Sequence, residues 1–268
     1  MKRSQGNKTA TPKPRTLLRW PGNKTRLLPE LLPLLDRPHE CYAEAFAGAL
    51  AVFLAKKPSK REIINDINGD IVALYRVAQF HPEELVRELK FVLSARKTVK
   101  DFAAQAGLTD VQRAGRLLAR NWASFAGGGT SFGVSKTRGA SGTIDRAEVE
   151  RRLEIVRSRM DGHVAVENLS YERLFELYDS PATVWFLDPP YVDADIKAYA
   201  GWTQAQMDEF RTRVGKLKGY WIVTINDSET NRALFKGCKL KPVQTVNRCV
   251  NHGITPIKTF GELIITPA

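Results

Sequence analysis

The sequence predicts an α/β fold with a mostly parallel sheet and an inserted, mostly helical region. Three observations carry that expectation. Short apolar runs alternate with helical repeats toward both ends of the chain, and strands alternating with helices imply parallel pairing through crossovers. From about 81 to 160 the alternation stops, and helical patterns follow one another with no convincing strand. The length, 268 residues, suits one large domain or one core carrying a subdomain.

The elements follow in order. Residues 1–16 are polar and basic, include Pro12 and Pro14, and read as a flexible tail. A helix is expected over 25–35. ECYAEAF (40–46) and EIINDI (62–67) read as strands, while GDIVALYRVAQF (69–80) repeats its apolar residues at helical spacing. HVAVENL (163–169), TVWFLD (183–188), YWIVTIN (220–226), LKPVQTV (240–246) and ELIITP (262–267) read as further strands, with helices at 170–178 and 203–217. The expected division is a core of 17–80 and 161–268 around an insertion of 81–160. The centre of the insertion, FAGGGTSFGVSKTRGASGT (125–143), is a Gly- and Ser-rich loop of a length compact domains rarely carry without a use. Arg113, Arg116, Arg120, Lys136, Arg138, Arg146, Arg151 and Arg152 cluster around it.

Composition excludes several classes. At 43% hydrophobic and 26% charged, the chain resembles ordinary globular proteins and is long enough to bury a core without staples. No run approaches the roughly 18 to 20 apolar residues of a membrane span, so no membrane partner is expected. The N-terminus lacks the apolar segment of a secretory signal. Cys41, Cys238 and Cys249 form no CxxC, and His39, His81, His163 and His252 lack ligand spacing, so neither a disulfide framework nor a metal site is expected. Lys and Arg number 41 against 29 Asp and Glu, a formal charge of +12. That excess points to a polyanion, most commonly nucleic acid.

Four motifs carry chemistry. Asp188, Pro189, Pro190 and Tyr191 follow the apolar run 184–187, at the carboxyl end of a strand, where open α/β sheets place ligands. A proline turn ending a strand is the plain alternative. The functional reading follows from an exocyclic amine whose lone pair is conjugated into a ring and is a poor nucleophile. Two acceptors against its N–H groups pull the nitrogen toward tetrahedral geometry. The Asp188 carboxylate is one, the Pro189 carbonyl, held by the next ring, the other. Tyr191 offers a face for stacking a base.

EAFAG (44–48) brings Glu44, Phe46 and Gly48 after the first strand, where a glycine allows close approach of a nucleotide-like ligand. Asp66 and Ile67, in NDIN (65–68), end the second strand; an acidic residue there accepts from ribose hydroxyls, or the segment merely caps the next helix. In LRWPGNK (18–24), Trp20 is expected against an apolar part of the ligand and Lys24 near a carboxylate. The absence of GxGxxG favours a smaller nucleoside ligand over a dinucleotide.

Together these residues resemble the D12-class, Dam-like DNA N6-adenine methyltransferases, especially the phage and prophage branch, from about residue 17 to 266. RWPGNK, EAFAG, NDINGDIVALYRV, SFGVSKTRG, VENLSYERLF, DPPY and GELIIT match its motifs in order. Leu50 stands where the family has the second glycine of FxGxG. The resemblance implies a Rossmann-like methyltransferase sheet of seven strands, S-adenosylmethionine as methyl donor, and a flipped adenine of duplex DNA as acceptor. It also implies an adenine-pocket floor at Asn168 and Leu169, and a DNA-reading region with Arg116, Arg120, Ser131, Lys136 and Arg138. A bacterial or phage-infected cytoplasm is the implied location, and no obligate protein partner is evident. Another planar amino nitrogen (RNA adenine, DNA cytosine N4 or protein glutamine) and an inactive DNA-binding relic are the competing readings.

Overall fold

Alternation of apolar residues builds the sheet and divides the core. In β4 (Thr183–Leu187), Val184 and Phe186 face one cluster while Trp185 and Leu187 face the other. β5 (Tyr220–Asn226) repeats the pattern with Ile222 against Trp221, Val223 and Ile225. A strand buried on both faces needs a helical layer on each side. The computed structural model describes residues 14–20, 22–124, 127–129, 132–133, 144–192, 202–246 and 259–268.

The other strands are β1 (Cys41–Glu44), β2 (Arg61–Asn65), β3 (Val164–Glu167), β6 (Lys239–Val246) and β7 (Thr259–Thr266). The seven form one sheet in the order β3-β2-β1-β4-β5-β7-β6. β1 through β5 pair in parallel, while β7 runs antiparallel to both β5 and β6. This is the mostly parallel α/β sheet the sequence predicts. β1 stops at Glu44, short of the expected 46, because the chain turns and the Ala47 amide donates to Asn65 O at 2.8 Å.

Helices α1 (Leu28–Leu35), α2 (Ala51–Ala55), α3 (Gly69–Phe80), α4 (Pro82–Lys90), α6 (Asp110–Ala123) and α7 (Arg146–Met160) feed the larger cluster. α8 (Tyr171–Tyr178) and α9 (Gln204–Val214) feed the other, as does Phe235 after α10 (Glu229–Leu234). α5 (Arg96–Ala104) lies on α6. Side-chain caps fix several starts: Asn68 for α3, Thr109 for α6, Asp145 for α7 and a Thr203–Gln206 capping box for α9. The expected helix at 25–35 divides into a 3₁₀ turn, Lys24–Arg26, and α1, whose Pro29 sits where a missing N–H is harmless.

Between 81 and 160 the described residues form helices and one isolated bridge, Ser124 with Phe132. α7 is anchored to the sheet by charge. Glu62, buried on β2, receives Lys56 at 2.5 Å and two hydrogen bonds from Arg159. Burial pushes the Glu62 carboxyl up, and these cations outweigh it, leaving it below the usual carboxylate range. Thr16, assigned to the tail by polarity, is buried: its hydroxyl donates to Leu18 O, and its carbonyl accepts from Arg152.

β1 lies between β2 and β4, so the connections after β1 and β4 diverge and open a cleft at their carboxyl ends. α2 begins in that cleft with Leu50 in the left-handed region, φ 58°. The side chain is 1% exposed and packs in the larger core cluster. Packing thus holds a leucine in a backbone conformation suited to glycine. Leu50→Ala loses packing and keeps the strain, an expected loss of about 3 kcal/mol. Leu50→Gly releases the strain and should be about 1 kcal/mol more stable than the alanine variant despite its smaller side chain. Denaturant unfolding of both checks this; glycine at or below alanine would refute the left-handed conformation.

Candidate active site

The cleft holds a pocket of about 210 Å³. Trp20, Lys24, Glu44, Phe46, Gly48, Asp66, Ile67, Asp188 and Pro190 all line it. Four separate sequence motifs therefore converge on one space. Pro189 is buried, and Tyr191 lies beside Lys24.

The walls are built from backbone-satisfying polar contacts. Asp66 Oδ2 accepts from the Gly48 amide at 3.0 Å, and Oδ1 from the Asn68 amide at 2.9 Å. Each oxygen keeps a lone pair for a ligand hydroxyl. Burial raises the Asp66 pKa, opposed by the Asn68 and Gly48 amides. Gly48 takes φ 47°, which strains other residues, and a Cβ there would lie 3.3 Å from Trp20 Nε1, a tight contact with the indole. Asn65 joins three segments: its amide nitrogen donates to Ala45 O and Leu169 O, and its oxygen accepts from the Leu169 amide. Asn168 Nδ2 donates to Asp66 O at 2.7 Å and Ile67 O at 3.2 Å. Asn168 and Leu169 thus brace the acidic turn rather than line the pocket. Ile67 stands 71% exposed at the rim. Phe46 packs with Tyr171, Trp202 and Phe210 at centroid distances of 5.9 Å.

Lys24 is 5% exposed, and its ammonium donates to Asp188 Oδ2 at 2.8 Å and to Gly22 O at 2.8 Å. Burial lowers its pKa, yet Asp188, Tyr191 and Glu262 outweigh burial and raise it well above the ordinary lysine value. Asp188 Oδ1 accepts from the hydroxyl of Thr224, a fully buried residue of β5, at 2.9 Å. The Tyr191 ring lies 5.3 Å from the ammonium. Its hydroxyl is buried without a hydrogen-bond partner among the described residues, and burial raises its pKa. Asp188 is therefore aimed from both sides, by an ammonium and by a hydroxyl.

The segment carrying Trp20 and Lys24 is clamped from α6. Asn121 accepts from the Arg19 amide at 2.7 Å and donates to Arg19 O and Gly127 O, both at 2.9 Å. Gly127, φ 78°, approaches so closely that a Cβ would lie 1.7 Å from Arg19 O. Arg19 covers the Trp122 ring at 4.3 Å.

A family profile, described as D12 class N6 adenine-specific DNA methyltransferase, matches residues 20–248. The chain belongs to that family. It is a DNA adenine methyltransferase. Similar relatives agree. The Type II methyltransferase M1.LlaDCHI of Lactococcus lactis subsp. cremoris is 24% identical over 205 residues, 70% of each chain. The DNA adenine methylase of Haemophilus influenzae is 25% identical over 274 residues, covering 94% of this chain and 93% of that one. The DNA adenine methylase of Escherichia coli (strain K12) is 39% identical over 75 residues, 28% of this chain and 26% of that one.

In this methyltransferase, Arg116 donates to Gln105 O at 3.0 Å and lies over the Phe102 ring, linking α6 to α5. Arg120 is half-buried; burial lowers its pKa, and Asp70 opposes that. Ser131, Lys136 and Arg138 lie outside the described residues, as does Pro21. No helix among the described residues is long and apolar enough to cross a membrane, and they contain no cluster suited to a metal ion. Sequence reading missed Thr224, Trp202, Asn121 and Glu262. Thr224 had a signal, a hydroxyl inside the apolar run YWIVTIN. Glu262 had another, a charged residue opening an apolar strand.

Glu44 is 1% exposed, and Tyr42 Oη donates to its Oε1 at 2.6 Å. Burial raises its pKa to about 8, against the Tyr42 hydrogen bond. The carboxyl is mostly neutral at pH 7 and serves as a wall. Its folded pKa exceeds its unfolded one, so its stabilisation is complete below about pH 4.5 and is lost as pH rises through about 8. The stability of wild type relative to Glu44→Gln should therefore fall between about pH 5 and 8. Parallel denaturation profiles would show an ordinary pKa.

Proposed function

We propose that this methyltransferase transfers the methyl group of S-adenosylmethionine to N6 of a flipped adenine in duplex DNA, site-specifically, with Asp188 and Pro189 as the amine's acceptors. The carrying observation is the buried Lys24–Asp188–Thr224 arrangement beside the pocket. A carboxylate fixed at both oxygens keeps one direction for an incoming N–H.

The residues present fit the cofactor. Asp66 offers ribose an acceptor at the pocket wall, Trp20 and Phe46 offer aromatic surface, and Ile67 an exposed apolar rim. Gly48 leaves the close approach such a ligand needs. When bound, S-adenosylmethionine supplies an electrophilic methyl on a sulfonium. Asp188 accepts one N6–H, the Pro189 carbonyl the other, and the nitrogen lone pair is localised on the methyl side. As the N–C bond would form and the methyl–sulfur bond break, its electron pair leaving on a neutral thioether, the amine becomes acidic, and Asp188 stabilises the charge and accepts the departing proton. Tyr191 presents a face for the flipped base, its other surroundings including the Lys24 ammonium.

The insertion 81–160 is the DNA-reading part in this reading, with the 17–80 and 161–268 segments forming the catalytic core. Arg120, Ser131, Lys136 and Arg138 are proposed DNA contacts; Arg116 is offered as a support of that surface. The enzyme works where bacterial DNA is, in the cytoplasm. The net charge of +12 favours phosphate contacts that weaken steeply with salt.

Purified protein, S-adenosylmethionine and unmethylated plasmid, followed by modification-sensitive sequencing, test the reading. N6-methyladenine in one short context is expected; transfer to RNA or protein instead would overturn the acceptor. Asp188→Ala should abolish transfer with the fold intact, and a folded variant turning over near the wild-type rate would remove Asp188 from its role. Asp66→Ala should weaken S-adenosylmethionine binding about tenfold or more while DNA affinity stays within about twofold. Equal losses in the two titrations would count against ribose.

A further inference from the structure

Asp188 is not the only carboxylate facing Lys24. Two of the three ammonium hydrogens go to Asp188 Oδ2 and Gly22 O. Glu262 Oε2 lies 4.0 Å from the same nitrogen, on a side chain only 12% exposed. That oxygen has no hydrogen-bond partner among the described residues. A buried carboxylate oxygen without a donor is unfavourable, and native folds retain few. The separation is about 1 Å longer than a charge-assisted hydrogen bond, within reach of a lysine rotamer change.

The strand geometry makes this oxygen deliberate in position. β7 pairs Glu262 with Asn226 of β5, two residues beyond the Thr224 that fixes Asp188 Oδ1. Asp188 and Glu262 thus reach one ammonium from neighbouring parts of the sheet. Burial raises the Glu262 pKa, while Lys24 and Arg26 lower it and Asp188 raises it further. An amine arriving at Asp188 competes with the ammonium for the same carboxylate. If the ammonium left without a second anion, a buried charge would lie uncompensated.

We infer that Glu262 is a positioning residue that takes the Lys24 ammonium when the adenine amine reaches Asp188, freeing that carboxylate for the substrate. The inference rests on the reading of Asp188 given above. No bond is made or broken in the exchange; one ion pair replaces another.

The test is a double-mutant cycle on the full chain, read as single-turnover methyl transfer at saturating S-adenosylmethionine and DNA, where slow rates remain measurable. Glu262→Gln keeps the shape and removes the charge. It should lower the rate about tenfold, a coupling of ordinary size for contacting groups. S-adenosylmethionine affinity by calorimetry should stay within about twofold. In a Lys24→Met background the same change should cause no further loss. Wild-type rates in Glu262→Gln, or an equal loss in both backgrounds, overturn the proposal. If the glutamine variant does not fold, Glu262→Asp carries the same cycle: a partial loss that vanishes with Lys24→Met is expected, and a loss equal in both backgrounds overturns it. An active Asp188→Ala enzyme has a different signature, since it removes the underlying role of Asp188 whatever Glu262 does.

Discussion

A lysine ammonium enclosed by protein must be matched by negative charge, because burying an unpaired ion costs several kcal/mol. Lys24, 5% exposed, imposes that condition on the whole site. It sits in a 3₁₀ turn near the start of the described chain, and its partners stand on β7 and just past β4. Segments remote in sequence are therefore gathered around one charge. The same condition gives the site its polarity. An ammonium and a hydroxyl hold the two oxygens of Asp188, and Thr224 contributes its hydroxyl from a fully buried strand position.

A second constraint ties this assembly to the insertion. Asn121 bonds to both the backbone before Trp20 and the carbonyl of Gly127. The amide satisfies backbone groups that would otherwise be buried without partners. It also makes the pocket wall and the entrance to the glycine-rich loop a single body. Arg159 does the comparable work at the far end of the insertion, pairing with Glu62 on β2. The last turns of α6 and α7 are thus fixed by polar contacts, while the apolar faces of both helices join the main core.

Much of this was legible in the sequence, for physical reasons that differ by element. β5 occupies the run YWIVTIN because both its faces are buried, so apolar character is continuous and bounded sharply by Gly219 and Asp227. α3 spans the helical repeat GDIVALYRVAQF because Asn68 caps its start. The motifs at 18–24, 44–48, 65–68 and 188–191 carry residue types that ligand chemistry requires, and the fold gathers most of them in one pocket. What stayed hidden was pairing. No local pattern says that Lys24 faces Asp188, since the contact depends on strand order. Asn168 and Leu169 lie near the pocket in sequence logic, yet the Asn168 side chain donates to the backbone of Asp66 and Ile67, and the Leu169 backbone pairs with the Asn65 side chain. Glu262 looked like the polar start of an apolar strand, and its neighbours emerge only when β7 is set beside β5.

The position of β7 also governs the order in which the sheet can close. It enters between β5 and β6, and β6 has no other neighbour in the sheet among the described residues. During synthesis β6 leaves the ribosome before the strand it must pair with, so it waits unpaired until β7 follows. The pairing of β7 with β5 skips α10 and β6, and such non-local pairing is slow relative to helix formation. The five parallel strands and their helices can assemble earlier, with Lys24 already near Asp188. Glu262 comes only with β7. The cleft therefore draws its walls from strands made early in synthesis and its second carboxylate from the strand made last among those described.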